Sequence, residues 1–238
     1  MPAYHAEKTI KKTVLDIPSG TVDTIIVVDD ASRDNTVQVA RELGLQVYTN
    51  EKNKGYGGNQ KTCYEKALEQ GADIVVMLHP DYQYDATLIP NMIRPITEGR
   101  YDVMLGSRIR TRAEALAGGM PLYKYISNRF LTLLENIFLG QNLSEFHTGF
   151  RAYRREVLET IPWRNNSDNF VFDTEFLVSA VYFGFRLGET PVPARYFKEA
   201  LSKNFVNSSI YGLATLATLG KFLLQKMGLA KFRIFIKK

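Results

Sequence analysis

The feature that most constrains this chain is a set of short apolar runs placed between helical patterns. Thr24-Ile25-Ile26-Val27-Val28 and Ile74-Val75-Val76-Met77-Leu78 lack the alternation of a strand with one wet face. Such runs mark strands buried on both faces. Residues 45–48 and 103–106 read as two further strands. Helical patterns occupy residues 6–15, 35–43, a stretch ending near Gly71, and 86–98. Pro18-Ser19-Gly20 stops the first helix, and Asp29-Asp30-Ala31-Ser32 carries residues able to cap the next. Strands alternating with helices predict an α/β fold, with a mostly parallel sheet and helices on both faces. Ligands of such sheets bind beyond the carboxyl ends of the strands, where the polar loops of this chain fall.

The second half has a different texture. Residues 108–119 are basic, glycine-containing and loop-like, and 121–139 read as a long helix rich in aromatics and leucine. After the segment 146–153 come a helix near 172–183, an extended stretch at 186–193, and an apolar, lysine-bearing helical tail from Ser208. With 238 residues, 45% of them hydrophobic, the chain can bury one substantial core. The expected organisation is a catalytic domain at 1–207 with a basic amphipathic extension at 208–238.

Composition excludes several classes of function. The single cysteine, Cys63, rules out a disulfide framework, and the absence of CxxC and HExxH argues against a zinc site. A net charge of +5 favours anionic partners. The lysines and arginines are dispersed and no nucleic-acid-binding signature occurs, so no nucleic-acid partner is expected. The chain opens on polar Tyr4-His5-Ala6-Glu7-Lys8, and no apolar stretch reaches the roughly 20 residues of a spanning helix. The expected location is the cytoplasm, with peripheral contact at the cytoplasmic membrane face.

Two loops carry candidate chemistry. Asp30 ends a buried strand, where a carboxylate can accept hydrogen bonds from a ribose or base; a helix cap is the alternative. In His79-Pro80-Asp81-Tyr82-Gln83-Tyr84-Asp85, Asp81 and Gln83 alternate along an extended loop, so both can offer oxygen to Mg²⁺ or Mn²⁺. The alternative is a polar turn with Asp85 capping the next helix.

Six segments in order complete the pattern: Pro2-Ala3-Tyr4-His5-Ala6-Glu7, Val28 to Thr36, Asn53-Lys54-Gly55, the His79 segment, Gly106-Ser107-Arg108, and Thr148-Gly149-Phe150-Arg151-Ala152-Tyr153. Together they resemble the family 2 glycosyltransferases of the GT-A fold, nearest the dolichyl-phosphate mannosyltransferase and polyprenyl-phosphate glycosyltransferase branch. The resemblance covers nearly the whole chain. It implies a Rossmann-like GT-A domain that binds a nucleotide-diphosphate sugar of the GDP-mannose or UDP-glucose type. It also implies metal-dependent, inverting transfer to a polyprenyl or dolichyl phosphate.

The resemblance implies roles for particular residues. Pro2, Tyr4 and Glu7 match the first nucleotide-contacting loop, and Asp30 the acid that holds the nucleoside. Asp81 matches the second acid of the D-x-D motif and Gln83 the glutamine after it, both as metal ligands. Arg108 and Ser127 match groups that bind the acceptor phosphate, and Arg151 lies near the active site. Three departures stand out. His79 occupies the place of the first D-x-D aspartate. Tyr123 replaces an arginine, with Lys124 beside it as a possible acceptor contact. The chain starts at Met1-Pro2 where relatives have a buried strand, so the sheet is expected to lack its usual first strand.

A phosphate acceptor is already anionic and needs no base, whereas a hydroxyl must lose a proton. Arg108 and Arg151 can add positive charge at the reacting centre. Asp173 and Glu175, in Phe172-Asp173-Thr174-Glu175, are the candidate bases if the acceptor is a glycan or glycolipid hydroxyl, Asp173 being the one assigned the role; their plain structural readings are a helix cap for Asp173 and a local hydrogen bond for Glu175. His5 and His147 read as structural. The tail, with Lys221, Lys226, Lys231, Lys237 and Lys238, suits an anionic membrane surface; packing on the domain or in a homodimer is its other reading. A non-catalytic nucleotide-sugar-binding protein is the reading from another class, motivated by His79 and the first strand.

Overall fold

A computed structural model describes residues 1–109, 111–193 and 205–237, with backbone alone at 205–207. Strands β1 (Pro2–Ala3), β2 (Ile26–Asp29) and β3 (Gln46–Thr49) form an all-parallel sheet in that order. Strands β4 (Ile74–Met77), β5 (Val103–Ser107), β6 (Arg151–Arg154) and β7 (Leu187–Pro191) form a second, ordered β4-β6-β5-β7. Strand β7 runs parallel to β5, but β6 is antiparallel to both its neighbours. The expected α/β architecture, mostly parallel and flanked by helices, is observed, with β6 as its antiparallel strand.

Where the usual first strand was expected to be lacking, only Pro2 and Ala3 are extended. They pair with Val28 and Asp29, and the Asp30 N–H donates to the Ala3 carbonyl at 2.9 Å. The apolar runs are buried on both faces. Val103 and Leu105 point into one hydrophobic cluster and Met104 into the other; Val28 and Val27 divide in the same way. This is the period-2 geometry of a strand covered on both sides.

Helices α1 (Ile10–Leu15), α2 (Thr36–Glu42), α3 (Gly55–Glu69) and α4 (Ile89–Thr97) fall between the strands as the periodicity predicts. Helix α1 starts later than expected. His5 turns the chain at a φ of 52°, and the Ala6 N–H donates to Thr36 Oγ1 at 2.7 Å, so residues 6–9 form a turn. Asp85 caps the short 3₁₀ turn Ala86–Leu88 by accepting from the Thr87 N–H at 3.1 Å.

The stretch 108–119, expected as loop, contains helix α5 (Arg112–Ala117). The Thr111 hydroxyl accepts from the Glu114 N–H at 3.1 Å, and the alanine-rich turn that follows has high helix propensity. Helices α6 (Leu122–Leu139), α7 (Arg155–Thr160) and α8 (Phe172–Tyr182) come next. Helix α9 (Phe205–Lys226) supplies the predicted helical tail and packs against α6 and α8. Leu219, Phe222, Ile234 and Phe235 from this region bury in the same cluster as Trp163 and Phe176.

Candidate active site

Because β6 runs backwards, its first residue lies at the same sheet edge as the ends of β4 and β5. Arg151 pairs with both Met77 and Leu105. The loops after β2, β4 and β5 and the segment entering β6 therefore meet above one edge. They enclose a cleft of about 940 Å³. Glu7, Asp34, Asp81, Gln83, Arg108, Lys124, Ser127 and Asp173 line it. Pro2, Tyr4, Asp30 and Arg151 do not.

Those four have other placements. Pro2 is buried in β1, and Tyr4 is exposed, with its ring edge-on to His5 at 4.2 Å. The buried Asp30 carboxylate accepts from Asn50 Nδ2 at 2.9 Å, the Lys54 N–H at 2.8 Å and the Gly55 N–H at 3.1 Å. It thus fixes the start of α3 beneath the cleft. Arg151 is fully buried, with Nη1 2.7 Å from Asp173 Oδ1.

Glu7 and Asp34 join the first two loops. Glu7 Oε2 accepts from the Asn35 N–H at 3.0 Å, and the Glu7 N–H donates to Asp34 Oδ2 at 3.3 Å. In the next loop, Asp81 Oδ1 accepts from the Gln83 N–H at 3.0 Å, closing a tight turn. Tyr82 sits at a φ of 61° in its middle, and the Asp81 and Gln83 side chains both line the cleft.

Among the described residues, no group of three or more His, Cys, Asp or Glu side chains could hold a metal ion. A cation here would draw on the Asp81 carboxylate and the Gln83 amide oxygen, completed by substrate phosphates and water. That donor set fits Mg²⁺ or Mn²⁺, which are commonly held by one or two carboxylates plus phosphate. His79 is committed elsewhere. Its ring stacks on Tyr56 at 5.3 Å and 11°, with Nε2 3.2 Å from the Tyr56 hydroxyl. Burial lowers its pKa, despite the nearby charges of Asp81 and Asp173. Gly149 backs this ring: a Cβ there would stand 2.7 Å from His79 Cδ2.

Asp173 is held on several sides. Besides Arg151, it accepts from the Tyr56 hydroxyl at 2.7 Å and from Gln60 Nε2 at 3.0 Å. Burial alone would raise its pKa, but the Arg151 charge and these hydrogen bonds outweigh it and lower the value. The result is a fixed anion of weak basicity. Glu175, two residues on, turns away to accept from the Ser167 N–H at 2.6 Å.

The opposite wall is basic. Buried Glu145 accepts from the Arg108 backbone N–H at 2.7 Å and clamps its guanidinium, while Arg108 Nη2 donates to the His147 carbonyl at 2.5 Å. Asn128 Nδ2 supports the same carboxylate at 2.8 Å. Lys124 and Ser127 project from the first turns of α6 into the cleft. Burial, with the Arg108 charge close by, lowers the Lys124 pKa.

Sequence reasoning did not single out Tyr56, Glu145 or Tyr211. Tyr56 sits in the glycine-rich turn 53–58, and that turn was the available signal. A Cβ on Gly57 would lie 2.5 Å from the Ser167 carbonyl oxygen, so α3 approaches that backbone closely. Tyr211 reaches the cleft from α9, and its hydroxyl lies 2.8 Å from His147 Nδ1. Nothing local in the sequence announces either Glu145 or Tyr211.

The sequence pattern of glycosyl transferase family 2 matches residues 1–162, more than half of the chain. The chain belongs to this family. Among the relatives of this family 2 glycosyltransferase is a UDP-N-acetylglucosamine–dolichyl-phosphate N-acetylglucosaminyltransferase from Methanococcus voltae. It is 29% identical over 220 residues, covering 85% of this chain and 87% of the relative. A dolichyl-phosphate hexose transferase from Haloferax volcanii is 31% identical over 199 residues, covering 82% and 81%. Among solved structures, glucosyl-3-phosphoglycerate synthase from Mycobacterium tuberculosis, in complex with UDP, superimposes with a TM-score of 0.69 at 20% identity. That match covers 97% of this chain and 79% of the synthase, and it establishes the shared GT-A fold. The same synthase has been solved with Mn²⁺, UDP-glucose and phosphoglyceric acid.

Proposed function

We propose that this glycosyltransferase moves a sugar, with inversion, from a nucleotide-diphosphate sugar to the phosphate of a polyprenyl or dolichyl phosphate. The observation that carries the reading is the division of labour across the cleft. Lys124 and Ser127, beside an Arg108 held in place by Glu145, supply a wall suited to an acceptor phosphate. Of the carboxylates suggested as a base, Asp173 is neutralised by Arg151 and engaged by Tyr56 and Gln60, and Glu175 is turned onto the Ser167 N–H. A phosphate acceptor needs no base, so this arrangement favours it over a hydroxyl.

On the donor side, Glu7 and the loop braced by Asp30 shape the nucleoside end. Asp81 and Gln83 would hold Mg²⁺ or Mn²⁺ against the diphosphate. The ion supplies charge stabilisation for the departing nucleotide. Arg108 orients the incoming phosphate, and Arg151 holds the Asp173–Tyr56 assembly in place from beneath. The two dolichyl-phosphate transferases among the relatives support the acceptor class, and the synthase complex with Mn²⁺ and UDP-glucose supports the donor and metal class.

The test uses purified protein with Mn²⁺ or Mg²⁺ and labelled GDP-mannose, UDP-glucose or UDP-N-acetylglucosamine. Label should pass to polyprenyl phosphate and not to the parent polyprenol. Transfer to a glycan hydroxyl alone, and none to polyprenyl phosphate, would establish the hydroxyl reading instead. Binding of a nucleotide sugar with neither transfer nor hydrolysis would mark a binding protein.

A further inference from the structure

The outer faces of α6 and α9 are the reverse of what a water-facing helix carries. On α6, Leu122, Ile126, Phe130, Leu133 and Ile137 recur at steps of three and four, so they share one face. That face points outward, and all five are between 56% and 62% exposed. The opposite face, with Asn128, Thr132, Glu135 and Leu139, is buried. Helix α9 repeats the arrangement. Ile210, Leu213, Leu216 and Leu224 are exposed, Leu213 by 68%, while Thr215, Thr218, Leu219 and Phe222 are buried. The two helices pack against each other and on the same core, each with its apolar stripe turned outward. Contiguous exposed apolar surface marks a binding face.

We infer that this face docks onto the surface of an anionic lipid bilayer. Charge selects the occupant. The exposed cations on and after the two helices are Arg129, Lys226, Lys231, Arg233 and Lys237. Glu135, the sole carboxylate on either helix, is buried, and the sequence has no Asp or Glu after Glu199. Apolar stripes on helices whose own exposed charges are all cationic suit acidic headgroups. A second copy of the chain, related by a two-fold axis, would set these cations against each other. No helix among the described residues is long and apolar enough to cross a membrane, so the contact is interfacial.

The placement also orients the cleft. Tyr123, Lys124 and Ser127 line the cleft from the end of α6 where the stripe begins, and Tyr211 lines it from α9. A lipid phosphate could enter from the bilayer with its headgroup at Lys124 and its chain still in the acyl region. This orientation rests on the phosphate-acceptor reading; the docking face itself does not.

Co-sedimentation with phosphatidylcholine vesicles, with and without phosphatidylglycerol, tests the surface. The wild type should bind the anionic vesicles, with binding weakened by salt. Leu133→Glu with Ile137→Glu, or Leu213→Glu alone, should weaken binding on the order of tenfold or more. Their melting temperatures and nucleotide binding should stay at the wild-type level, because the altered positions are exposed. Wild-type-like vesicle binding by both variants would overturn the inference. A wild-type dimer in solution that these substitutions dissociate would overturn it in favour of a second copy. Transfer to a short, water-soluble prenyl phosphate separates the two ideas, since the variants should retain it. Its absence in the wild type, with vesicle binding intact, would sink the acceptor reading and leave the docking face standing.

Discussion

The guanidinium of Arg151 lies 2.7 Å from the carboxylate of Asp173; the arginine is fully buried, and the aspartate, itself nearly so, forms part of the cleft lining. Two buried charges at this distance hold each other in place, and removing one leaves the other unpaired. Asp173→Asn should therefore destabilise the protein by about 3–5 kcal/mol, read from denaturant midpoints. A base with no structural duty would lose turnover at unchanged stability. Combining Asp173→Asn with Arg151→Met should recover part of the loss, and strict additivity would refute the coupling.

The same pair gives a pH dependence. The Asp173 pKa is lowered in the folded state because the Arg151 charge and three hydrogen-bonding partners outweigh burial. Its contribution to stability is then fully present above the unfolded carboxyl value of about 4. It is lost as pH falls through the lower folded value. Acid unfolding of the wild type should show this added dependence below about pH 4, and Asp173→Asn should remove it.

Lys124 should make acceptor use pH-sensitive on the alkaline side. Burial and the Arg108 charge lower its pKa, so the ammonium is lost below the ordinary lysine range near ~10.4. The kcat/KM for a phosphate acceptor should fall along a limb at that lowered value, since this parameter reports the free enzyme. Lys124→Arg should move the limb upward. Lys124→Ala should raise the acceptor KM by roughly tenfold or more while leaving the donor KM unchanged.

Metal dependence should track Asp81. Thermal shift of the wild type with nucleoside diphosphate should grow when Mn²⁺ is added, reaching about 2.7 kcal/mol at 100 times the dissociation constant. Asp81→Asn should keep the shift from nucleotide alone and lose the part added by metal. An undiminished metal response would move the cation elsewhere.

Gly149→Ala probes the Tyr56–His79 stack. Its new Cβ would stand 2.7 Å from His79 Cδ2 and 2.9 Å from Nε2, so the ring must move. We expect a stability loss of about 1–3 kcal/mol and a larger proportional fall in kcat than rise in donor KM.

The strands buried on both faces were the most legible part of the sequence, because unbroken apolar runs such as 74–78 have few other uses. Strand β6 was not: its Arg151-Ala-Tyr-Arg sequence has charged ends, and only pairing from both sides makes it a strand. In the site, Asp81, Gln83, Lys124 and Ser127 do face the cleft. Asp30 does not, because backbone donors at Lys54 and Gly55 take its oxygens, and no local pattern shows a partner that far along the chain. Periodicity found α6 but could not say which apolar stripe faces the core. Leu131 and Leu139 are buried while Phe130 and Leu133 are exposed.

The reversed insertion of β6 also bears on how the protein is made. A nascent chain that has emerged only as far as Phe150 holds β4 and β5 without the strand that joins them. Their inner edges, with unpaired amides and carbonyls, are then open to any other extended segment. Closure must wait for residues more than seventy positions downstream of β4, which makes it slow and exposed to misassembly. Arg151 and Asp173 meet only after that step, so a fully formed cleft reports that synthesis has passed its most aggregation-prone stage.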